Sequence, residues 1–293
     1  MTLNPSTLRC TTCTTPLLKK TYSGTLGNMS ALTCHACKAS FPIKNGVPHF
    51  LETRAPERAQ LETVDGACMV AGYRRPNPLM HALRRVVSSE YFPGKSWRAA
   101  KTRTLENPGT KLILGSGVTR YLDAVHLDLD DFPGVDIVGD AHVLPFVDDV
   151  FSGLVCEVVL EHVADPKRVI AESFRVLQPG GLAFFIVPFL FPFHGHPSDF
   201  QRWSREGLAR EFEAFEDVEV GIHGGPCSSM VNLLSEWGYV MSGLRFPRGY
   251  TLIKGGLTGL LFPIKFMDLL VNRFPEAHRL ASTLFIIATK PQT

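Results

Sequence analysis

Residues 111–117 read KLILGSG, a short apolar run followed by two glycines with one residue between them. Gly115 and Gly117 would let the backbone approach a ligand closely. Open α/β sheets bind nucleotides at the carboxyl ends of their parallel strands. The stretch therefore predicts the first strand and the ligand loop of an α/β domain.

From residue 111 onward, short apolar runs alternate with helical stretches, a pattern typical of a doubly wound, Rossmann-like sheet. We predict seven strands, near 111–114, 125–129, 135–138, 153–158, 182–187, 216–222 and 283–290. We predict helices near 166–177, 204–213 and 228–243, with one or two more within 257–277. Residues 224–280 would then form a helical insertion before the last strand.

Polar residues follow the predicted strands. Asp128 ends the second strand, where a carboxylate can accept hydrogen bonds from both hydroxyls of a ribose. Asp140 and Ala141 end the third strand, and the sequence LPF follows at 144–146. An acidic turn with an apolar lid suits an adenine ring. Further along, 159–166 read VLEHVADP and 177–181 read LQPGG.

This series resembles the class I S-adenosylmethionine-dependent methyltransferases of the methyltransferase type 11 family. The landmarks of that family are a Gly-rich loop, D-A-x-x-L-P-F, L-E-H-V-x-D-P and L-x-P-G-G. The resemblance covers 111–222 and extends to the last strand. It implies a methyltransferase with S-adenosyl-L-methionine as cofactor. The implied cofactor-binding residues are Gly115, Ser116, Gly117, Asp128, Asp140 and Ala141, to which we add Glu157.

The loop departs from the family pattern in its length. It has no third glycine, and only ten residues separate Gly117 from Asp128. We therefore expect the first helix to be cut to a turn or two. The same departure leaves open a non-catalytic binding or scaffold protein built on a degenerate fold.

Two C-x2-C pairs lie near the N-terminus, Cys10 with Cys13 and Cys34 with Cys37, separated by 20 residues. Two such knuckles offer four thiolates for a closed tetrahedral zinc site. Because no coordination position stays open, the zinc would be structural. We assign 1–51 to a zinc ribbon.

Residues 41–48 read FPIKNGVP. With the cysteine pairs, this turn resembles the zinc-ribbon family of small methyltransferase-activator proteins. In that family the ribbon assists RNA- or protein-modifying enzymes, and here it would be fused to its own enzyme. A basic connector at 52–110, with a helix around Leu79–Ser88, would lead into a methyltransferase domain at 111–293.

Residues 188–204, which read PFLFPFHGHPSDFQRWS, leave the fifth strand at the ligand edge of the sheet. A similar element follows this strand in type 11 relatives. Histidine, aspartate and arginine beside a methyl donor are suitable base and orienting groups. The candidate catalytic residues are His194, His196, Asp199 and Arg202. A structural alternative is that Asp199 and Arg202 pair locally.

Neither a signal peptide nor a membrane-spanning run is visible, since 1–10 read MTLNPSTLRC and no uninterrupted apolar stretch reaches about 18 residues. We expect a cytoplasmic protein. The apolar segment 250–271 is either buried or contacts a membrane surface or a partner protein.

The leading hypothesis is methyl transfer to an oxygen or nitrogen atom of a small-molecule, lipid or glycan acceptor. One alternative is an RNA methyltransferase, because residues 1–51 carry five Lys and Arg and no acidic residue. Against RNA, few aromatic residues interleave with these basic ones as a stacking platform would require.

Overall fold

The computed structural model describes residues 4–17, 26, 29–51, 95–195, 198–243 and 247–292. The predicted helix at 79–88 and most of the connector lie outside this part of the chain. The strands are β1 Ala31–Thr33, β2 Ser40–Lys44, β3 Val47–Pro48, β4 Lys111–Leu114, β5 Ala124–Asp128, β6 Ile137–Val138, β7 Phe151–Glu157, β8 Leu177–Pro188, β9 Glu216–Gly224 and β10 Thr283–Thr289.

Seven strands form the main sheet in the order β6-β5-β4-β7-β8-β10-β9. The pairs from β6 to β8 are parallel, while β10 lies antiparallel between β8 and β9. The strand order reverses next to β4, where Gly115 leaves the sheet. A reversal of this kind opens a crevice at the carboxyl ends of the strands. The predicted seven-stranded α/β fold is confirmed.

Successive strand residues point to opposite faces of the sheet, and every residue of β4 and β5 is buried. Both faces of the sheet therefore need to be covered by other elements. On one face, α1 Lys95–Glu106 packs Ala100 against a cluster that includes Ile113 and Phe184. On the other face lie α2 Pro166–Val176 and α3 Arg205–Glu211. Both helices bury apolar side chains in the hydrophobic cluster that contains Leu112 and Leu114. Both faces are therefore shielded from water.

No helix forms between β4 and β5, where residues 115–123 run through turns. The prediction of a helix of a turn or two is wrong here. The Arg120 guanidinium donates to the carbonyl oxygens of Gly117 and Thr119 (3.0 and 2.6 Å), which fixes the segment in a non-helical path. The helix α1, which precedes the sheet in the chain, contributes to the cluster on this face instead.

The N-terminal residues dock on the sheet domain. Leu8, Phe41 and Phe50 share one hydrophobic core with Leu144 and Phe146. The Phe50 N–H donates to the Val138 carbonyl at the end of β6 (2.8 Å), next to a parallel bridge between His49 and Val138. The ribbon thus extends the free edge of the main sheet.

The segment before β10 is helical, with α4 Pro226–Ser242, α5 Pro247–Leu261, α6 Asp268–Val271 and 3-10 helices at Phe262–Met267 and Pro275–Leu280. The buried Asp268 carboxylate accepts the N–H groups of Cys227 and Ser228, which lie in the first turn of α4 (2.8 and 2.9 Å). Among the described helices, none is both long and apolar enough to cross a membrane.

Candidate active site

Glycines 115 and 117 form a turn directly after β4. Both have left-handed backbone, with φ of +61° and +50°. A Cβ on Gly115 would lie 2.3 Å from Val159 Cγ2, whereas a Cβ on Gly117 would meet nothing within 4 Å. Gly115 is therefore required by close packing, and Gly117 lines open space that a ligand could occupy.

The Asp128 carboxylate closes this turn from the neighbouring strand. Its Oδ2 accepts the Gly117 N–H at 2.7 Å, and its Oδ1 accepts the Asp130 N–H at 3.0 Å. Asp128 is buried, with 8% of its surface exposed. A carboxylate has about four acceptor sites, and two of those of Asp128 are used, so about two acceptor sites remain for donors of a ligand. The binding of a ribose by Asp128 stays a prediction. The position of Asp128 beside the glycine turn is consistent with it.

Asp140 lies at the next loop of the same edge. Its Oδ1 accepts both the N–H and the Nδ1–H of His142 (2.9 and 2.6 Å). Burial alone would raise the pKa of Asp140, but the hydrogen bonds from His142 outweigh it and hold that pKa below its ordinary value. The same hydrogen bond raises the pKa of His142. His142 was not predicted, although it directly follows Ala141.

Glu157 ends β7 and pairs with Lys101 of α1, with Nζ–O distances of 2.7 and 2.6 Å. Burial disfavours the ammonium, but the Glu157 carboxylate outweighs this effect and raises the pKa of Lys101. Lys101 could not be predicted, because the connector has poor periodicity. The predicted cofactor residues at 115–117, 128, 140, 141 and 157 thus lie in loops or strand ends along one edge of the sheet.

The chain turns sharply after β7. Val158 has a φ of +57°, which is strained for a β-branched residue and costs about 1–3 kcal/mol. This turn places Val159 against Gly115 and leads into the 3-10 helix Leu160–His162. Strained backbone persists only where the surrounding structure holds it, and it is concentrated at functional sites.

Glu161, His162 and His194 come together beyond this turn. Nε2 of His194 lies 3.3 Å and Nε2 of His162 lies 3.8 Å from Oε1 of Glu161. The two imidazole rings meet edge to face with their centroids 4.9 Å apart. The Glu161 side chain is completely buried. The motif L-E-H-V contained Glu161 and His162, but only the fold shows that they meet His194.

Asp199 and Arg202 brace the segment that carries His194. Asp199 accepts the His194 N–H (2.9 Å) and pairs with the Arg202 guanidinium through both oxygens. The hydrogen bonds from Arg202 lower the pKa of Asp199 to about 2. These contacts agree with the local pairing considered above, and acceptor contact by either residue stays a prediction. His196 lies outside the described residues.

The four ribbon cysteines form one cluster. Cys10 Sγ lies 3.6 Å from Cys37 Sγ, and Cys13 Sγ lies 3.5 Å from Cys34 Sγ. All four sulfur atoms lie within 4.8 Å of one another. Zinc–sulfur bonds of about 2.3 Å in a tetrahedron separate the sulfurs by about 3.8 Å. The residues therefore fit a structural zinc ion.

The ribbon contacts the loop that carries the predicted adenine site. The Arg9 N–H donates to the Pro145 carbonyl (3.0 Å), and the Val147 N–H donates to the Thr7 carbonyl (2.8 Å). Glu172 of α2 accepts the Leu144 N–H at 2.8 Å. The loop at 144–147 is thereby held from the ribbon and from the sheet domain.

This geometry of loops along the carboxyl edge defines a Rossmann-like cofactor-binding domain. Residues 116–185 match the family profile described as "Methyltransferase domain". The family recognition made from the sequence is confirmed over these residues, which make up less than half of the chain.

Curated relatives match over shorter stretches. The demethylmenaquinone methyltransferase of Renibacterium salmoninarum is 42% identical over 65 residues, which cover 21% of this chain and 27% of the relative. The 2-phytyl-1,4-naphtoquinone methyltransferase of Thermosynechococcus vestitus is 35% identical over 95 residues, 29% of this chain and 42% of the relative. The chain therefore spans less than half the length of these relatives.

Two solved structures are similar to this chain at low sequence identity. One is phosphoethanolamine N-methyltransferase 2 of Haemonchus contortus in complex with S-adenosyl-L-methionine, at 16% identity and a TM-score of 0.45, covering 73% of this chain and 57% of that one. The other is a SAM-dependent methyltransferase from Archaeoglobus fulgidus, at 13% identity and a TM-score of 0.42, covering 73% and 100%.

Proposed function

We propose that the chain is an S-adenosylmethionine-dependent methyltransferase that acts on a small-molecule acceptor. The observation that carries this proposal is the hydrogen bond from the Gly117 N–H to Asp128 Oδ2 at the carboxyl edge of β4 and β5. It shapes a short glycine turn beside a buried carboxylate, within a segment that matches a methyltransferase domain. When bound, the cofactor supplies an electrophilic methyl group.

In this proposal Gly115, Ser116 and Gly117 contact the amino-acid and ribose portions of the cofactor, and Asp128 accepts from the ribose hydroxyls. Asp140 and Ala141 would flank the adenine, and Glu157, which pairs with Lys101, would contact the cofactor. Asp128 already accepts hydrogen bonds from backbone N–H groups, and Glu157 already pairs with the Lys101 ammonium. Both carboxylates are therefore oriented before the cofactor binds. Such preorganisation reduces the ordering required on binding.

The acceptor would enter on the side of residues 160–162 and 189–202, which follow the neighbouring strands β7 and β8. We call this the acceptor side. His194 is the group best placed to take a proton from an acceptor hydroxyl or amine, since its ring is part-exposed and lies against Glu161. Asp199 and Arg202 act as positioning residues for His194.

Relatives support an acceptor with an apolar body, because the two relatives above are named for a menaquinone and for a phytyl naphthoquinone. The insertion also exposes large apolar side chains, including Trp237, Leu252 and Leu260, which are 62%, 71% and 74% exposed. We propose that this surface contacts a lipid bilayer that holds the acceptor. The double variant Leu252→Ser with Leu260→Ser should then lose cosedimentation with phosphatidylglycerol vesicles, and wild-type protein that stays in solution would contradict the proposal.

An RNA acceptor is less well supported. Arg9, one of the five basic residues of the ribbon, is 8% exposed and pairs with Glu172, so it is not free for phosphate. Lys38 directs its Nζ to the His35 carbonyl (3.1 Å). The basic ribbon therefore offers fewer free charges than its sequence suggests.

Methyl transfer from radiolabelled cofactor to a reduced naphthoquinone tests the proposal. His194→Ala should lower the rate by about 10²–10⁴-fold while S-adenosylhomocysteine binds as in the wild type. Gln201→Ala, on the same segment, is the matched control and should keep the wild-type rate. A His194→Ala variant with an unchanged rate would remove His194 from the mechanism.

A further inference from the structure

We infer that Glu161, His162 and His194 form a binding site for a divalent transition-metal ion on the acceptor side. One potential ligand atom from each residue lies within 4.8 Å of the other two. The three residues come from two elements that follow neighbouring strands: the 3-10 helix after β7 and the segment after β8. The site is distinct from the cysteine cluster of the ribbon.

The hydrogen bonds of the two imidazoles indicate where their protons lie. His162 Nδ1 contacts the Ser198 carbonyl oxygen at short range. His194 Nδ1 faces the Pro192 carbonyl (3.2 Å) and Asp199 Oδ2 (3.5 Å). These oxygens only accept hydrogen bonds, so each Nδ1 carries a proton. Arg202 Nη2 also lies 3.4 Å from His194 Nδ1, but it donates to Asp199 at 2.6 Å.

In a neutral imidazole with its proton on Nδ1, Nε2 carries a lone pair. In both histidines Nε2 faces the Glu161 carboxylate. Oε1 of Glu161 lies 3.3 Å from Nε2 of His194 and 3.8 Å from Nε2 of His162. Oε2 is buried and has no hydrogen-bond partner among the described residues. Acceptor atoms that converge repel one another unless a cation lies between them, and a buried carboxylate oxygen without a partner, as Oε2 is here, is disfavoured.

Two imidazole nitrogens and one carboxylate oxygen form a donor set that suits zinc, iron or manganese. Ligand atoms about 2.1 Å from an ion lie at most about 4.2 Å apart, so small side-chain rotations would close the widest spacing. The carbonyl groups that accept from each Nδ1 are the partners that orient metal-binding histidines. Three protein ligands leave positions open for an oxygen atom of an acceptor.

This inference does not rest on the proposed function, because metal binding is measured without turnover. If both the metal site and the methyltransferase activity are present, the ion rather than His194 would favour the deprotonated form of an acceptor hydroxyl. Metal ions lower the pKa of bound water in the same way. Glu161 would then be a metal ligand and Asp199 would position His194.

The test is a zinc titration of the full chain against a chromophoric chelator, with elemental analysis after gel filtration. Wild-type protein should hold two zinc ions per chain. Glu161→Gln and His162→Ala should each hold one, and Cys10→Ser should keep the second site. Glu157→Gln removes a nearby carboxylate that lies outside the cluster, so this matched control should hold two.

Cobalt substitution adds an independent measurement. Thiolate-to-cobalt charge-transfer bands should persist in Glu161→Gln, while the ligand-field bands of the nitrogen and oxygen site disappear. If Glu161→Gln does not fold, His194→Ala carries the same test, because its ring is more exposed. One zinc ion in folded wild-type protein, or two in the Glu161→Gln and His194→Ala variants, would overturn the inference and leave a shared proton as the cation.

Discussion

Arg9 of the N-terminal ribbon donates from Nη2 to both carboxylate oxygens of Glu172 in α2, at 3.2 and 3.0 Å. The Arg9 Nε also donates to the Leu144 carbonyl (3.3 Å). The partner of Arg9 lies 163 residues away in the sequence, on the helix that covers one face of the sheet. The ribbon is thus attached to the sheet domain by a largely buried ion pair as well as by apolar packing.

Arg9→Ala should destabilise the protein by about 1–3 kcal/mol, because it leaves part of a desolvated carboxylate without its donor. The cost is limited, since Arg175 still pairs with Glu172 (2.7 and 2.8 Å). Urea unfolding measures the difference. Arg279→Ala, which breaks an exposed pair with Glu276, is the control and should change stability little. Equal effects from the two variants would show that the ribbon interface contributes no special stability.

Cys10→Ser should remove the ribbon zinc and unfold the ribbon, because a segment this short cannot bury an adequate core of its own. The loop at 144–147 would lose its hydrogen bonds to Thr7 and Arg9, so affinity for S-adenosylhomocysteine should also fall. Elemental analysis and calorimetry measure both effects. Cys227→Ser, which changes a cysteine outside the cluster, should keep the ribbon zinc. A ribbon that stays folded without zinc would refute the structural role of the metal.

Gly115→Ala should destabilise the fold by about 1–3 kcal/mol and weaken cofactor binding, because its Cβ would overlap Val159 and its φ is left-handed. The matched control is Gly46→Ala, which has a φ of +82° but no atom within 4 Å of the new Cβ. Melting temperature and S-adenosylhomocysteine affinity are measured on both variants. If Gly46→Ala impairs cofactor binding as much as Gly115→Ala does, backbone strain rather than the contact with Val159 is responsible.

The Asp140–His142 pair should make stability depend on pH. The lowered pKa of Asp140 gives stability that is present above the ordinary aspartate value of about 3.9 and is lost as pH falls through the lowered value. The raised pKa of His142 gives stability that is full below about 6.5 and is lost as pH rises through the raised value. The pair should therefore stabilise most between about pH 4 and 6.5.

Urea midpoints from pH 5 to 8 measure this dependence, and the difference between wild type and His142→Ala should shrink as pH rises. Asp140→Asn removes the main cause of the raised pKa of His142. In this variant the contribution of His142 to stability should therefore be lost at a lower pH. A difference that stays constant over this range would mean that the pair does not titrate as the structure implies.

Much of the fold was predictable because buried parallel strands are short apolar runs separated by glycine and acidic turns. Six of the seven strands of the main sheet lie within a few residues of their predicted positions, and β8 begins five residues earlier than predicted. The absent helix after β4 was harder to foresee, since it depends on Arg120 reaching carbonyl oxygens of its own turn.

The site was predictable only where a motif kept its residues together. Glu161 and His194 are 33 positions apart and meet because β7 and β8 are neighbours. Lys101 comes from a connector without a readable pattern, and it reaches Glu157 only through the packing of α1 on the sheet. Long-range contacts of this kind depend on register and topology, which local sequence does not encode.

We proposed that the glycine turn and Asp128 hold S-adenosylmethionine. Calorimetric titration of wild-type protein, Asp128→Asn and the exposed control Asp131→Ala with S-adenosylhomocysteine measures this binding. We expect one site per chain in wild type and Asp131→Ala, and a loss of about 1.5–3 kcal/mol in Asp128→Asn, because a charge-assisted acceptor is removed. Wild-type protein that is folded but binds no S-adenosylhomocysteine, or an Asp128→Asn variant with wild-type affinity, would contradict the claim.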